Sequence, residues 1–406
     1  MARGARLRTR LRLLSQLRPA RLIGAAVVIF GYLPLTLLGP GTDLDVGGVY
    51  DSGQAILDGD YLVSRTPGAP VFEAVTGVLH AIGGTVLVNL ASVAMAVLAA
   101  VAVATLLRSE GHPRADWFGL AVLLNPFVWI SGTSMVDFMW AVGLALAGAH
   151  AQLSRRWPLA VALYALAAGC RLSTVFLIGA FLLGDLIGAR RDDRKQILFA
   201  GLATAVVTAI VFLPPYLSLG WEFLRSDVPS SDLVVQVGRF GVKNWYFFGP
   251  IVVVLVAAMV PRLWREIPGR WGESAVLRMA LLGAVVGELL YLRFPWKLAH
   301  LIPVFVCVVL VLGVTEVFSR RLLAVFLVAQ VVLGIVNVNL ADPDNPNEAT
   351  GGTFSPEVVR GPLWTDIACR RDADPDAYRA PGRTDGGDAV GVELRVTWAC
   401  VVPWSD

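Results

Sequence analysis

Apolar and polar positions do not alternate along this chain; they come in blocks. Runs of Leu, Val, Ala and Ile are separated by short polar breaks, and the breaks fall into two kinds, arginine-rich and acidic. The runs at 22–38, 85–107, 117–130, 138–153, 159–170, 173–187, 197–213, 247–260, 275–292, 298–315 and 322–340 predict helices that cross a bilayer, about eleven in all. The third and fourth are short for a hydrocarbon layer of ~30 Å, so protein is expected to cover their ends. Residues 67–82 are amphipathic and predict a short helix along the outer interface. Residues 159–187 predict a tight hairpin with Arg171 at its tip. Arginines and lysines in short loops mark the cytoplasmic side. Arg3, Arg6, Arg8, Arg10, Arg12, Arg18 and Arg21 precede the first run, and the clusters at 108–114, 155–156, 190–195, 262–270 and 320–321 all fall on that same side. The reading is therefore a polytopic all-α membrane protein of the plasma membrane. Its N-terminus is cytoplasmic (1–21), its membrane domain spans 22–340, and a small tail (341–406) lies outside.

Composition narrows the solvent to lipid. Of 406 residues, 56% are hydrophobic and 16% charged, with a mean hydropathy of +0.66. A soluble domain carries about 25% charged residues and could not hide this much apolar surface. The net charge of +3 comes from arginine far more than lysine: Lys195, Lys243 and Lys297 are the only lysines. That bias suits a GC-rich bacterial genome. The basic N-terminus is explained by membrane orientation, and nothing points to a nucleic-acid domain. No A-x-A-like site follows the first run, so it reads as an uncleaved span. Cys170 and Cys307 lie in apolar runs and read as buried hydrophobes. Cys369 and Cys400 lie in the tail and can pair in an oxidising compartment. Within the tail, 391–402 alternates partly, as a strand would.

The chemistry collects on the outer side. Residues 42–73 read as the first outer loop and carry Asp43, Asp45, Asp51, Asp58, Asp60, Glu73 and Arg65. Crowded carboxylates disfavour one another's ionisation, which can leave one suited to accepting a proton. At the same level lie Asp137, Arg171, Arg225, Arg239, Lys243, Arg293, Lys297 and His300. Charges at a bilayer edge are costly and either pair or act on something. Arg offers phosphate oxygens a planar fork and Lys a point charge. A carboxylate that deprotonates a hydroxyl acceptor, with phosphate leaving into Arg and Lys, gives an inverting displacement. Bland roles stand beside each choice: Asp43 and Asp45 as helix-end acids, Arg65 answering Glu73, Arg171 capping its helix, Arg293 and Lys297 as interfacial anchors beside Trp296. His300 reads as a packing histidine. His80, His112 and His150 have no ligand spacing.

Four stretches carry a resemblance: TDLDV followed by GDYLVSRTPGAPVFE, NPFVWISGTSMVD, ALAAGCRLSTVFLIG and YLRFPWKLAHLIPVF. In their order and sidedness the chain resembles the GT-C superfamily of polytopic glycosyltransferases, which includes protein O-mannosyltransferases and lipid A aminoarabinose transferases. The resemblance implies a GT-C-like fold and a polyprenyl-phosphate-linked sugar, pentose or hexose, as donor. It implies transfer at the outer face to a glycan, lipid or protein of the cell envelope. The family's catalytic acid maps to Asp43 or Asp45. The YLRFPWKLAHLIPVF stretch, with Arg293 and Lys297, is similar to the segment that carries donor-phosphate contacts in some members; with Arg65, Arg171, Asp137 and Lys243, chosen for their charge at the outer level, these are the candidate substrate and donor-phosphate contacts. No cofactor is demanded, but some members use a divalent cation, and Asp43 and Asp45 are where one would bind. The KPP-type segment of the aminoarabinose transferases is replaced here by Arg65-Thr66-Pro67. The larger soluble domain of many members has no counterpart in the short tail. The competing expectation is a transporter or lipid-sugar flippase, which would show Gly/Pro-broken spans in two matching halves.

Overall fold

The computed structural model describes residues 19–43, 45–224, 233–340 and 356–372. The first apolar run folds as α1 (Pro19–Val27), carried on by a π turn at Val28–Tyr32 and a last helical turn at Leu33–Leu35. Helix α2 (Asp45–Leu57) follows, then α3 (Pro70–Ser109), 40 residues with a break at Gly83 and Gly84. That break divides the expected interfacial segment from the expected second span. Gly84 has φ +62°, a conformation costly to any residue with a Cβ.

The third run is two helices, α4 (Ala115–Leu124) and α5 (Pro126–Gly132). Asn125 between them caps α5, its side chain accepting from the amides of Phe127 and Val128, and Pro126 sits where its missing N–H costs nothing. Next come α6 (Phe138–Leu153), α7 (Trp157–Cys170), α8 (Thr174–Gly188) and α9 (Arg191–Val211). The polar stretch between the 197–213 and 247–260 runs is largely helical where it is described. It holds α10 (Leu213–Leu219), a 3-10 turn (Gly220–Leu224) and the first part of α11 (Leu233–Trp271). The left-handed Gly249 (φ +72°) breaks α11 near where its membrane run was expected to start. Helices α12 (Ala275–Arg293), α13 (Ile302–Val314, after a 3-10 turn at Leu298–Leu301) and α14 (Arg320–Ile335) complete the bundle.

Among the described residues, four helices are long and apolar enough to cross a membrane alone: α3, α9, α11 and α12. Six further apolar segments are 10–17 residues long. The protein is thus an all-α polytopic membrane protein. Its short helices α4 to α6 are almost wholly buried, as their length required. Large apolar side chains such as Phe30, Phe199, Leu217 and Val254 face outward, the surface that lipid would cover.

Two features depart from the sequence reading. The acidic stretch is not a loop: α2 lies on α3. Their backbones meet at Gly53 and Gly77, where a Cβ on Gly77 would stand 2.7 Å from the Gly53 carbonyl oxygen. Gly77→Val is therefore expected to cost about 1–3 kcal/mol through overpacking, read as a lower thermal midpoint in detergent. Gly47→Ala, on the open face of α2, should lower it by nothing. The tail is the second departure. Val336–Asn339 leaves α14 as strand β1 and pairs antiparallel with β2 (Glu357–Arg360), Val336 opposite Arg360. Helix α15 (Pro362–Asp372) then returns to pack on α5 and α14. The strand expected at 391–402, Arg225 and Cys400 lie outside the described residues. Cys369 is buried on α15.

Candidate active site

Each charged residue of the site is set by local backbone structure. Asp43 accepts the Asp45 amide at 2.9 Å and so caps the start of α2. Acids are favoured there by the orphan amides and the helix dipole. The helix-end reading of Asp43 and Asp45 is thus correct as geometry, and it is also what aims them. Arg65 is carried on the 58–69 segment, and Glu73 pins that segment from the first turn of α3. Glu73 is fully buried. It accepts from the Tyr61 hydroxyl at 2.5 Å, the Ser64 amide at 3.2 Å, the Ala69 amide at 3.1 Å and the Ser64 hydroxyl. Glu73 therefore does not answer Arg65.

Arg65 instead bridges two carboxylates, donating Nη1 to Asp45 and Nη2 to Asp137. Asp137 sits between α5 and α6 and also accepts Nη1 of Arg171 at 3.0 and 3.3 Å. Arg171 lies between α7 and α8, as the hairpin required. Its side chain does not cap α7; it stacks over Phe138, 4.0 Å to the ring centroid. Its Nη2 lies 2.6 Å from Nε2 of His300. A guanidinium has only donors, so this ring nitrogen accepts. Lys297 comes from the segment between α12 and α13 and lies 2.7 Å from both Asp43 Oδ1 and Asp45 Oδ2.

The result is one alternating cluster in which Asp43, Asp45 and Asp137 face Arg65, Arg171 and Lys297. The Asp43 and Asp137 side chains are 2% and 0% exposed, while Arg65, Arg171 and Lys297 keep 22%, 19% and 18%. Two acids thus lie underneath and the cations open outward. Burial alone would raise the Asp45 carboxyl, but Arg65 and Lys297 outweigh it and hold it at about 2. The same acids hold Arg65 firmly protonated against its own burial. In the unfolded chain Asp45 titrates near 3.8. A depressed carboxylate adds stability above that value and loses it as pH falls toward the folded one. The parent protein should lose stability on acidification from about pH 4 to pH 2, and Asp45→Asn should flatten that loss; thermal midpoints across this window check it.

Not every candidate joins the cluster. Arg293 has an exposed side chain, and among the described residues it is its backbone carbonyl that is engaged, accepting from Gln236. Lys243 donates to the Trp296 carbonyl, next to Lys297, so it braces the segment that carries Lys297. His300 was read as packing, and it does stack, 5.8 Å from Phe294 and 5.5 Å from Phe138. Its contact with Arg171 was missed; its spacing three residues after Lys297, on a turn, was the available signal. The donor set does not fit a divalent cation, because the Lys297 ammonium lies between the two carboxylates expected to hold one. Among the described residues no group of three or more His, Cys, Asp and Glu could hold a metal.

No family model matches the chain, and no curated protein matches it. Two solved structures do: ArnT from Cupriavidus metallidurans in the apo state and the same protein bound to undecaprenyl phosphate. They are 18% and 19% identical to this chain, with a TM-score of 0.56 in each case. The match covers 74% of this chain and 60% of theirs, so the chain spans well under two thirds of their length. At that identity the likeness concerns architecture: over the matched residues this chain shares the fold of ArnT, the kind of fold that the resemblance in its sequence implied.

Proposed function

We propose that this protein transfers a sugar from a polyprenyl-phosphate donor to a hydroxyl acceptor at the outer face of the membrane. In this reading the chain crosses about eleven times with its N-terminus in the cytoplasm. The observation that carries it is the layered cluster: Arg65, Arg171 and Lys297 open outward over buried Asp43 and Asp137. Three cations held by carboxylates are already arranged for an oxyanion, and a phosphate can take over bonds the acids now make. The ArnT structure bound to undecaprenyl phosphate supports a lipid of that class as partner.

The step follows from charge. The acceptor hydroxyl attacks the anomeric carbon, its proton passes to a carboxylate, and the C–O bond to phosphate breaks with the electron pair leaving on phosphate. Arg65, Arg171 and Lys297 stabilise that charge as it develops. Asp45 is the base in this scheme. While it binds Arg65 and Lys297 it is too acidic to accept a proton at neutral pH. A donor phosphate that engages those cations strips Asp45 of its counter-charges, and burial then raises its basicity. The base is switched on by the donor. Asp43 holds Lys297 and starts α2, and Asp137 spaces the two arginines.

The test is purified protein with radiolabelled polyprenyl-phosphate sugars and envelope acceptors. Labelled product with release of polyprenyl phosphate is the expected result. Movement of the intact donor across proteoliposomes, with no covalent product, would instead support a flippase.

A further inference from the structure

Outside the cluster, the most unusual polar group is an ion pair in the C-terminal helix. Asp366 and Arg370 are 0% and 5% exposed, and Arg370 Nε lies 2.8 Å from Asp366 Oδ2. Their i, i+4 spacing would suit an exposed surface pair, yet here both charges are buried, which is expensive unless something specific is gained. Their remaining bonds leave α15. Asp366 Oδ1 accepts the Thr42 hydroxyl at 3.0 Å. Arg370 donates to the Thr133 carbonyl at 2.8 Å, the Ile130 carbonyl at 3.3 Å and the Ser134 hydroxyl. These are acceptors at the C-terminal end of α5, where a cation also suits the helix dipole. The two anchored segments are tied directly as well, Met135 donating its amide to the Pro40 carbonyl at 2.7 Å.

Thr42 is the residue before Asp43, and Ser134 stands three residues before Asp137. One buried pair thus fixes the backbone leading into both buried acids of the cluster. Those acids come from sequence positions remote from each other, and neither segment holds the other through a regular element. We propose that Asp366 and Arg370 are positioning residues for Asp43 and Asp137, acting through Thr42 and the end of α5, so that the C-terminal helix is part of the active site. The catalytic half of this proposal rests on the transfer reading given above. Small displacements of positioned groups cost activity steeply, ~100-fold for 1 Å, so a lost anchor should lower turnover more than binding.

The chain's three lysines give a readout that needs no turnover. Lys297 is held by Asp43 and Asp45, and Lys195 is exposed on α9, an element that supplies no residue of the cluster. With the full-length protein in detergent, a water-soluble acylating ester should label Lys297 several-fold faster in Thr42→Val and in Asp366→Asn, with Lys195 unchanged. Thr42→Ser, which keeps the hydroxyl, should return the parent rate. In transfer assays Thr42→Val should lower kcat about tenfold with donor KM within about twofold, and serine should rescue it. Thr42→Val keeps the side-chain shape, so an equal thermal midpoint separates positioning from folding. Parent-like Lys297 labelling in Asp366→Asn overturns the proposal, and so does undiminished kcat in Thr42→Val. If the parent transfers no sugar at all, the transfer reading fails, and parent-like labelling of Lys297 in Asp366→Asn would then end the positioning claim as well.

Discussion

Replacing Asp137 with alanine is expected to remove both stability and lipid-phosphate binding. Its carboxylate is fully buried and accepts from two guanidinium groups, Arg65 and Arg171. Without it those cations face one another with no charge between them. Breaking a buried pair from one side leaves an uncompensated charge and costs about 3–5 kcal/mol. Asparagine should be little better, because it keeps the shape but supplies no charge and turns an N–H toward one arginine. The double variant Asp137→Asn, Arg171→Gln removes one stranded cation. It should recover part of the stability without recovering binding, since Arg171 is itself assigned to the phosphate. Thermal midpoints in detergent and titration with undecaprenyl phosphate read the two effects separately. An Asp137→Ala protein with the parent's midpoint would mean that these ion pairs do not form in the membrane.

The bundle was legible where burial in lipid writes a long apolar run. The expected fourth run coincides with α6 (Phe138–Leu153), and the 275–292 run differs from α12 by one residue. The expected segments 67–82 and 85–107 leave Gly83 and Gly84 between them, where α3 breaks. What could not be read is helix that owes its existence to tertiary contact. In α2 the sequence DVGGVYDSGQAIL holds three glycines, a serine and two aspartates, all poor or modest helix formers. It is stabilised by Val46 and Val49 packing inward and by the Gly53–Gly77 approach, which requires α3 to be in place. Helix α15 is polar, and its buried pair only makes sense once Thr42 and the end of α5 are beside it. The candidate site shows the same division. Sidedness of the arginines located Arg171, Lys297 and Arg293 at one level, but level is not direction. Arg171 is held over Asp137 and Phe138 while Arg293 stays exposed, and packing against Phe138 decides that.

Asp45→Asn is expected to lower kcat by about 10²–10⁴ at saturating donor, the span that general-base catalysis usually contributes, without weakening donor binding. Asp45 and the donor phosphate compete for the same cations. Asp45 Oδ2 accepts from both Arg65 and Lys297, the cations assigned to the donor phosphate. Neutralising it removes the phosphate's rival, so donor affinity should hold or tighten while turnover collapses. Asp43→Asn should behave differently. Asp43 is nearly inaccessible, caps α2 through the Asp45 amide and holds Lys297. Its loss should raise donor KM and lower the thermal midpoint, because Lys297 loses an anchor and α2 loses charge at its first turn, worth about 0.3–1 kcal/mol. The pH profile separates the two further. With Asp45 as a base released only when donor binds, the acid limb of kcat should lie above pH 4, whereas free-enzyme properties that depend on Asp45 should persist down to about pH 2. Full turnover in Asp45→Asn, or a donor affinity that falls with it, would transfer the base assignment away from Asp45 and leave it as a structural partner of Arg65.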